Sequence, residues 1–427
     1  MQTAIAAEFA GTADGVEAEA ILRKCVHCGF CTATCPTYQL LGDELDGPRG
    51  RIYLVKQVLE GQPPTRATQL HLDRCLTCRN CETTCPSGVQ YGNLLEIGRR
   101  IVDERVARPA GERALRWTLK EGLTSSLFAP AMKVGQALRG VLPGALKAKV
   151  PAAQAARRDD WPAREHERKV LLLAGCVQPA MLPNINSATA RVLDAAGIQT
   201  IVAPAAGCCG AIRLHTSDRD GALAQMRSNI DAWWPWLERG DVEAIVMNAS
   251  GCGVTVKEYG HSLAHDPAYA HKAGRISDLT RDLSEIVADV VDSLRAKLAL
   301  PGSAAERGAT ATRPPCGRVE RLAFHPPCTL QHGQRVRGVV ESSLTALGFD
   351  VRVPANEPHL CCGSAGTYSV LQPELANALR DRKLASLDAL APTTVVSANI
   401  GCIQHLQSGT TTPVRHWIEV LDDALAR

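Results

Sequence analysis

The chain has 427 residues, 45% of them hydrophobic, which is too long for one core and apolar enough to fold roughly two to four domains. A net charge of +3 and an aromatic content of 4% offer neither the field nor the stacking surface that nucleic acid requires, so that class is excluded. No apolar run approaches the ~18 residues of a membrane span; the longest, around Val170 to Val177, has the length of a buried strand.

Residues 1–16 are small and polar, with two glycines and no apolar periodicity, and predict a mobile tail. A helix is expected over Glu17 to Lys24, leading into a cysteine run, Cys25-x2-Cys28-x2-Cys31-x3-Cys35-Pro36. The apolar positions 52, 54, 55, 58 and 59 give a helix over 51–60, and Leu70 to Asp73 leads into a second run, Cys75-x2-Cys78-x2-Cys81-x3-Cys85-Pro86. A further helix is expected over Tyr91 to Val106. Residues 17–108 therefore predict an α-helical ferredoxin domain.

Each run has the spacing that holds one [4Fe-4S] cubane. Three cysteines three residues apart can reach three corner irons from one short loop, each iron taking a soft thiolate. In two-cluster ferredoxins the fourth cysteine serves the other run's cluster. This assigns Cys25, Cys28, Cys31 and Cys85 to cluster 1, and Cys75, Cys78, Cys81 and Cys35 to cluster 2. Disulfides fit poorly, because 17 cysteines in 427 residues is far below a secreted scaffold and Met1 opens no secretory leader. Zinc prefers paired C-x2-C arms set farther apart.

From 109 to 168 the pattern loosens into a linker or helical docking segment. Leu127 to Val141 predicts an amphipathic helix, with Lys133 and Arg139 on one side and Phe128, Met132, Leu138 and Val141 on the other. Packing on its own protein, a partner subunit and a membrane surface all remain open as its contact.

A divergent repeat follows, with module 1 over 169–300, a linker over 301–320 and module 2 over 321–427. Cys328 follows Cys176 by 152 residues, Cys361 follows Cys208 by 153, and Cys402 follows Cys252 by 150. Three agreeing offsets make a duplication. Each copy reads strand, helix, strand, Cys-Cys-Gly, strand, Gly-Cys, a parallel α/β pattern that gathers cysteines beyond the carboxyl ends of the strands. Cys176, Cys208, Cys209 and Cys252, and likewise Cys328, Cys361, Cys362 and Cys402, are thus candidate thiol or metal sites. Further iron-sulfur or metal binding, thiol redox chemistry and an inert core of reduced cysteines all stay open. Cys316, in the linker, reads as an ordinary thiol, and His27, His325 and His359, beside cysteines, read as hydrogen-bonded packing residues. The fold class expected is multidomain α plus α/β.

With its two runs, the intervening Gly42-Asp-Glu-Leu-Asp-Gly-Pro-Arg-Gly-Arg-Ile-Tyr53 and two Cys-Cys-Gly modules, the chain resembles the iron-sulfur subunits of bacterial glycolate oxidase over nearly its whole length. The resemblance implies an electron-transfer subunit without catalytic residues of its own. A partner subunit carrying FAD would oxidise glycolate to glyoxylate, and this chain would pass the electrons towards quinone or another acceptor. No Gly-x-Gly-x-x-Gly after a strand and no P-loop provides a dinucleotide site here. The iron-sulfur subunit of anaerobic glycerol-3-phosphate dehydrogenase shares the layout, and heterodisulfide reductase shares the two later modules. In the latter the last element is Cys-x-x-Cys, whereas Ala249 and Asn399 stand at the first position of that pair here, which argues against a five-thiolate cluster and disulfide reduction. The expected location is the cytoplasm, with attachment to the inner face of the cell membrane left open.

Overall fold

The computed structural model describes residues 1–147, 150–153, 161–298 and 320–426. Cys316 and nearly all of the 301–320 linker lie outside the described residues.

The cysteine runs sit in a helical domain whose main helices are Ala13–Lys24, Pro48–Leu59, Arg66–Asp73 and Tyr91–Arg105. Ile21, Leu22, Val55, Leu59, Leu72, Leu94 and Ile101 interlock at its centre, each 3% exposed or less. Burying each such side chain contributes about 1.5–3 kcal/mol. Gly98 lets two helices close on each other, since a Cβ there would lie 2.4 Å from Val55 Cγ2.

The amino terminus corrects the expectation of a mobile tail. Thr12 caps the first helix by accepting the Gly15 amide at 3.0 Å, which starts it at Ala13 and not Glu17. Upstream, the Met1 amino group donates to Cys25 O at 2.9 Å and the Ala6 amide to Leu59 O at 2.9 Å. Met1, Ile5 and Phe9 pack on the helical core. Three isolated apolar residues show no period, yet they suffice to anchor a segment without regular structure.

The later half forms two four-stranded parallel sheets of the same topology. In module 1, β1 (Arg168–Leu172), β2 (Ile198–Ile201), β3 (Ala244–Met247) and β4 (Thr280–Asp282) lie in the order β2-β1-β3-β4. In module 2, β5 (Arg321–His325), β6 (Asp350–Arg352), β7 (Thr394–Ser397) and β8 (Val414–His416) lie in the order β6-β5-β7-β8. The chain reverses its direction across the sheet between β1 and β3, and again between β5 and β7. Such a switch point opens a crevice at the carboxyl ends of the strands.

The two modules share one continuous core, from Val170 and Leu172 through Phe324 and Val396 to Trp417. Polar contacts fix the junction: the Ser250 amide donates to Ala398 O at 3.0 Å, and Arg191 pairs with Asp422 at 2.6 Å.

In the intervening segment the helix runs over Phe128–Ala137 and seats only Met132. Leu127, Val134, Leu138 and Val141 are more than half exposed. The expected apolar side is therefore split, because Leu138 and Val141 lie beyond the helix end and point outward.

Candidate metal centres

Both cysteine runs adopt one backbone path. His27 and Gly29 have φ of 56° and 85°, and the corresponding Thr77 and Arg79 have φ of 53° and 58°. Alternating left-handed residues turn successive amides to one side, which makes a concavity suited to an anionic group. The Thr77 amide reaches Cys75 Sγ at 3.4 Å. A side chain at positive φ costs about 1–2 kcal/mol, and strain of this kind gathers where function over-determines the loop.

The thiols fall into two groups. Cys25, Cys28, Cys31 and Cys85 line one cavity together with Ile52 and Tyr91, and Cys81 of the second run reaches its wall. Cys75, Cys78, Cys81 and Cys35 lie within electrostatic reach of one another. The two runs touch through Thr34 and Thr84, whose hydroxyls are 3.2 Å apart, and the Asn80 side chain donates to Thr34 O at 3.0 Å. Burial pushes the Cys31 thiol up to about 11 and also raises Cys78 and Cys81. Thiolates here therefore need a cation, and loading the site releases protons.

Surroundings separate the two groups. Cys28 is exposed and flanked by Val26 and Phe30, which are 67% and 61% exposed. Cys78 instead packs beside Leu360, Cys328 and Cys361 of module 2. Arg79 forms a two-pronged pair with Glu258 of module 1, and the Tyr368 hydroxyl of module 2 donates to Arg74 O at 3.1 Å.

Arg51 and Asp46 explain the segment between the runs. Both side chains are 1% exposed and pair at 3.4 Å, and Arg51 also donates to His71 O at 2.7 Å and Thr37 Oγ1 at 3.1 Å. Asp46 takes a second pair from Arg74 at 2.8 Å, and its carbonyl accepts the Thr37 hydroxyl at 2.8 Å. Thr37 Oγ1 lies 3.3 Å from Cys35 Sγ, and the Tyr91 hydroxyl donates to Cys75 Sγ at 3.5 Å. Asp43, Asp46 and His71 stand close enough to hold an ion, yet Asp46 is already committed to this cationic network. Nothing in the linear pattern sets Arg51, Thr37 or Tyr91 apart, because each acts through a contact with a residue distant in the chain.

In each module the cysteines converge at the switch point. Hydrogen bonds from Cys176 and Cys209, aided by the Gly210 and Ile212 amides, hold the Cys208 thiol below its ordinary range, and Cys252 adjoins Cys209. Module 2 has the same chain of contacts: Cys328 to Cys361, Cys361 to Cys362, Cys362 to Cys402. Gly210 and Gly363 turn the backbone at φ of 98° and 87°. A Cβ on Gly363 would lie 2.3 Å from Ala376 O, whereas one on Gly210 would meet Ala222 O at 3.3 Å. Gly363→Ala is expected to destabilise by more than the ~1–2 kcal/mol of a left-handed alanine, and Gly210→Ala by less than Gly363→Ala. Thermal melts of the two variants check that order.

Ala249 and Asn399 both lie where the modules meet. Asn399 accepts the Gly251 amide at 3.3 Å and donates to Cys402 Sγ at 3.6 Å, so its amide links module 1 to the last cysteine of module 2.

The histidines divide. His27 packs edge-on to Tyr53 with ring centroids 6.4 Å apart, and His359 is half-buried. His325 departs from the expected packing role: it is 0% exposed, and neither ring nitrogen has a hydrogen-bond partner.

The donor chemistry fits iron-sulfur groups. Sixteen described cysteines are free thiols, eight of them in two sets of four, with amide and hydroxyl donors directed at sulfur. No helix among the described residues is long and apolar enough to cross a membrane. A helical two-cluster domain set against paired Cys-Cys-Gly modules defines an electron-carrying subunit of an oxidoreductase.

Comparisons agree. A 4Fe-4S dicluster domain matches residues 21–89, and a cysteine-rich domain matches 170–257 and 322–407. The chain is 52% identical to the glycolate oxidase iron-sulfur subunit of Escherichia coli (strain K12), over 100% of both chains. It is 30% identical to a probable glycolate oxidase iron-sulfur subunit of Bacillus subtilis (strain 168), over 92% of this chain and 89% of that one. A lactate utilization protein A of Bacillus licheniformis is 25% identical over 60% of this chain and 99% of its own. The chain belongs to the family of glycolate oxidase iron-sulfur subunits.

Proposed function

We propose that this chain carries electrons out of a flavoprotein that oxidises glycolate to glyoxylate, and delivers them towards quinone or another acceptor. The observation that carries the reading is the pair of four-thiol sets, one at the surface and one at the junction of all three folded parts. A [4Fe-4S] cluster, when bound, takes up and releases one electron at a time, which matches a flavin that gains two and can lose them singly.

In this reading Cys25, Cys28, Cys31 and Cys85 hold cluster 1, and Cys75, Cys78, Cys81 and Cys35 hold cluster 2. The Thr77 amide, the Tyr91 hydroxyl and the nearby Arg51 guanidinium favour negative charge on the second set and so tune its potential upward. The exposed face of Val26, Cys28 and Phe30 is the docking surface for the FAD subunit. The Cys-Cys-Gly modules hold further iron-sulfur or metal centres. Leu127, Val134, Leu138 and Val141, with Lys133 beside them, are the surface that meets quinone or the membrane. Thiol reduction is disfavoured by Ala249 and Asn399.

The test is anaerobic glycolate addition followed by EPR. Cluster signals should grow when the flavoprotein subunit is present and stay absent when this chain is alone. Growth without the flavoprotein, or none in the intact complex, would contradict the proposal.

A further inference from the structure

The two modules are not equivalent, and the difference lies at the switch point. His325 closes β5 and is the register partner of Ser397 on β7, so its ring stands at the carboxyl ends of adjacent strands. Cys402 follows β7, and Cys362 follows β6. A ligand atom of His325, Cys362 and Cys402 each lies within 4.8 Å of the other two, and all three residues are buried.

Module 1 lacks this arrangement. Counting back from the strand-end cysteines, Leu173 takes the place of His325, and Leu173 is 3% exposed. The helices that follow the Cys-Cys-Gly turns align at Ala222 and Ala376, which meet the Gly210 and Gly363 turns, and Asn229 then takes the place of Lys383. Lys383 is 0% exposed, is tied to Glu357 O at 2.8 Å, and stands beside Cys328, Cys361 and Cys362. The duplicated fold accepts an apolar side chain at the first position and, at the second, a neutral amide that donates to Cys208 O at 2.8 Å. Module 2 has acquired an imidazole and a cation there.

A buried imidazole with both nitrogens unpaired is an exception among polar groups and calls for a partner. Two thiols offer it only weak hydrogen bonding, but the three side chains together are a good donor set for a soft metal. Metal-sulfur distances of about 2.3 Å and metal-nitrogen distances of about 2.0–2.1 Å set tetrahedral ligands roughly 3.6–3.8 Å apart, a separation that small side-chain rotations reach from here.

We propose that His325, Cys362 and Cys402 bind one soft metal atom as a mixed imidazole-thiolate centre found in module 2 and not in module 1. The metal is zinc or an iron of a further cluster, two occupants that share this ligand chemistry. The inference rests on the reading that the Cys-Cys-Gly modules bind metal. Lys383 offsets the negative charge of the thiolates, and Cys361 leads from the centre towards Cys78 of the second set.

The test uses the complex purified without oxygen from cells grown on 15N-histidine, assayed for iron, sulfide and zinc. The expected result is metal beyond the eight cubane irons, with a histidine nitrogen bound to it. For iron, pulsed EPR shows a nitrogen coupling that changes with the isotope. For zinc, X-ray absorption shows nitrogen at about 2.0–2.1 Å together with sulfur. His325→Leu should remove that nitrogen signature and leave the cubane signals intact. Sulfur-only coordination, no metal beyond the cubanes, or a signature that survives His325→Leu would overturn the proposal. If His325→Leu fails to accumulate, the wild-type spectra decide. Missing cubane irons would instead sink the broader reading of the chain.

Discussion

Cys78→Ala is expected to abolish reduction of dye or quinone by the assembled complex while glycolate still reduces the flavin of the partner subunit. Cys78 is the thiol of the second set that faces module 2, beside Cys328 and Cys361. Removing it leaves that set with Cys75, Cys81 and Cys35, one donor short of the four that the group needs. The first set does not use Cys78, so its EPR signal should persist and shows that the helical domain has folded. Stopped-flow absorbance follows the flavin, and steady-state dye reduction follows the outflow. Loss of flavin reduction in an intact complex would show that this chain does more than carry electrons.

Arg51→Leu should have the next largest effect. The guanidinium is 1% exposed and joins Asp46, Thr37 and the His71 carbonyl, so its removal leaves the buried Asp46 carboxylate with only Arg74 and His71 as partners. Breaking a buried pair from one side typically costs ~3–5 kcal/mol, and the Arg74 contact to Asp46 holds the expected loss near the lower figure. The second set should lose its iron first, because Thr37 touches Cys35 and positions it. Iron per chain and the thermal midpoint measure the two effects. The double variant Arg51→Leu, Asp46→Leu should recover part of the stability, since it removes both charges together.

Covalent chemistry and repetition made much of this legible in the sequence. The spacing of the two runs located eight thiols, and the structure brings them together as two sets of four, with Cys85 beside Cys25 and Cys35 beside Cys75. The agreeing offsets of the later cysteines marked a duplication, and two sheets of the same strand order stand there. Long amphipathic helices were also visible; the expected 51–60 is Pro48–Leu59.

What stayed hidden depends on tertiary contact. The first sixteen residues carry no period, and only the core explains why Met1, Ile5 and Phe9 stay put. Arg51 reads as one of many arginines until a buried Asp46 is found opposite it. His325 reads as a strand-end histidine, and its distinction is the lack of any hydrogen-bond partner, which no linear pattern can display. The shared core of the two modules was equally invisible, because apolar strands look the same whether they face their own helices or a neighbour's.

The most direct measurement is iron and acid-labile sulfide per chain, with EPR of the dithionite-reduced protein prepared without oxygen. The account predicts at least about eight irons and eight sulfides, and a spectrum of two magnetically interacting clusters. A colourless chain with no iron, silent after reduction, would contradict it.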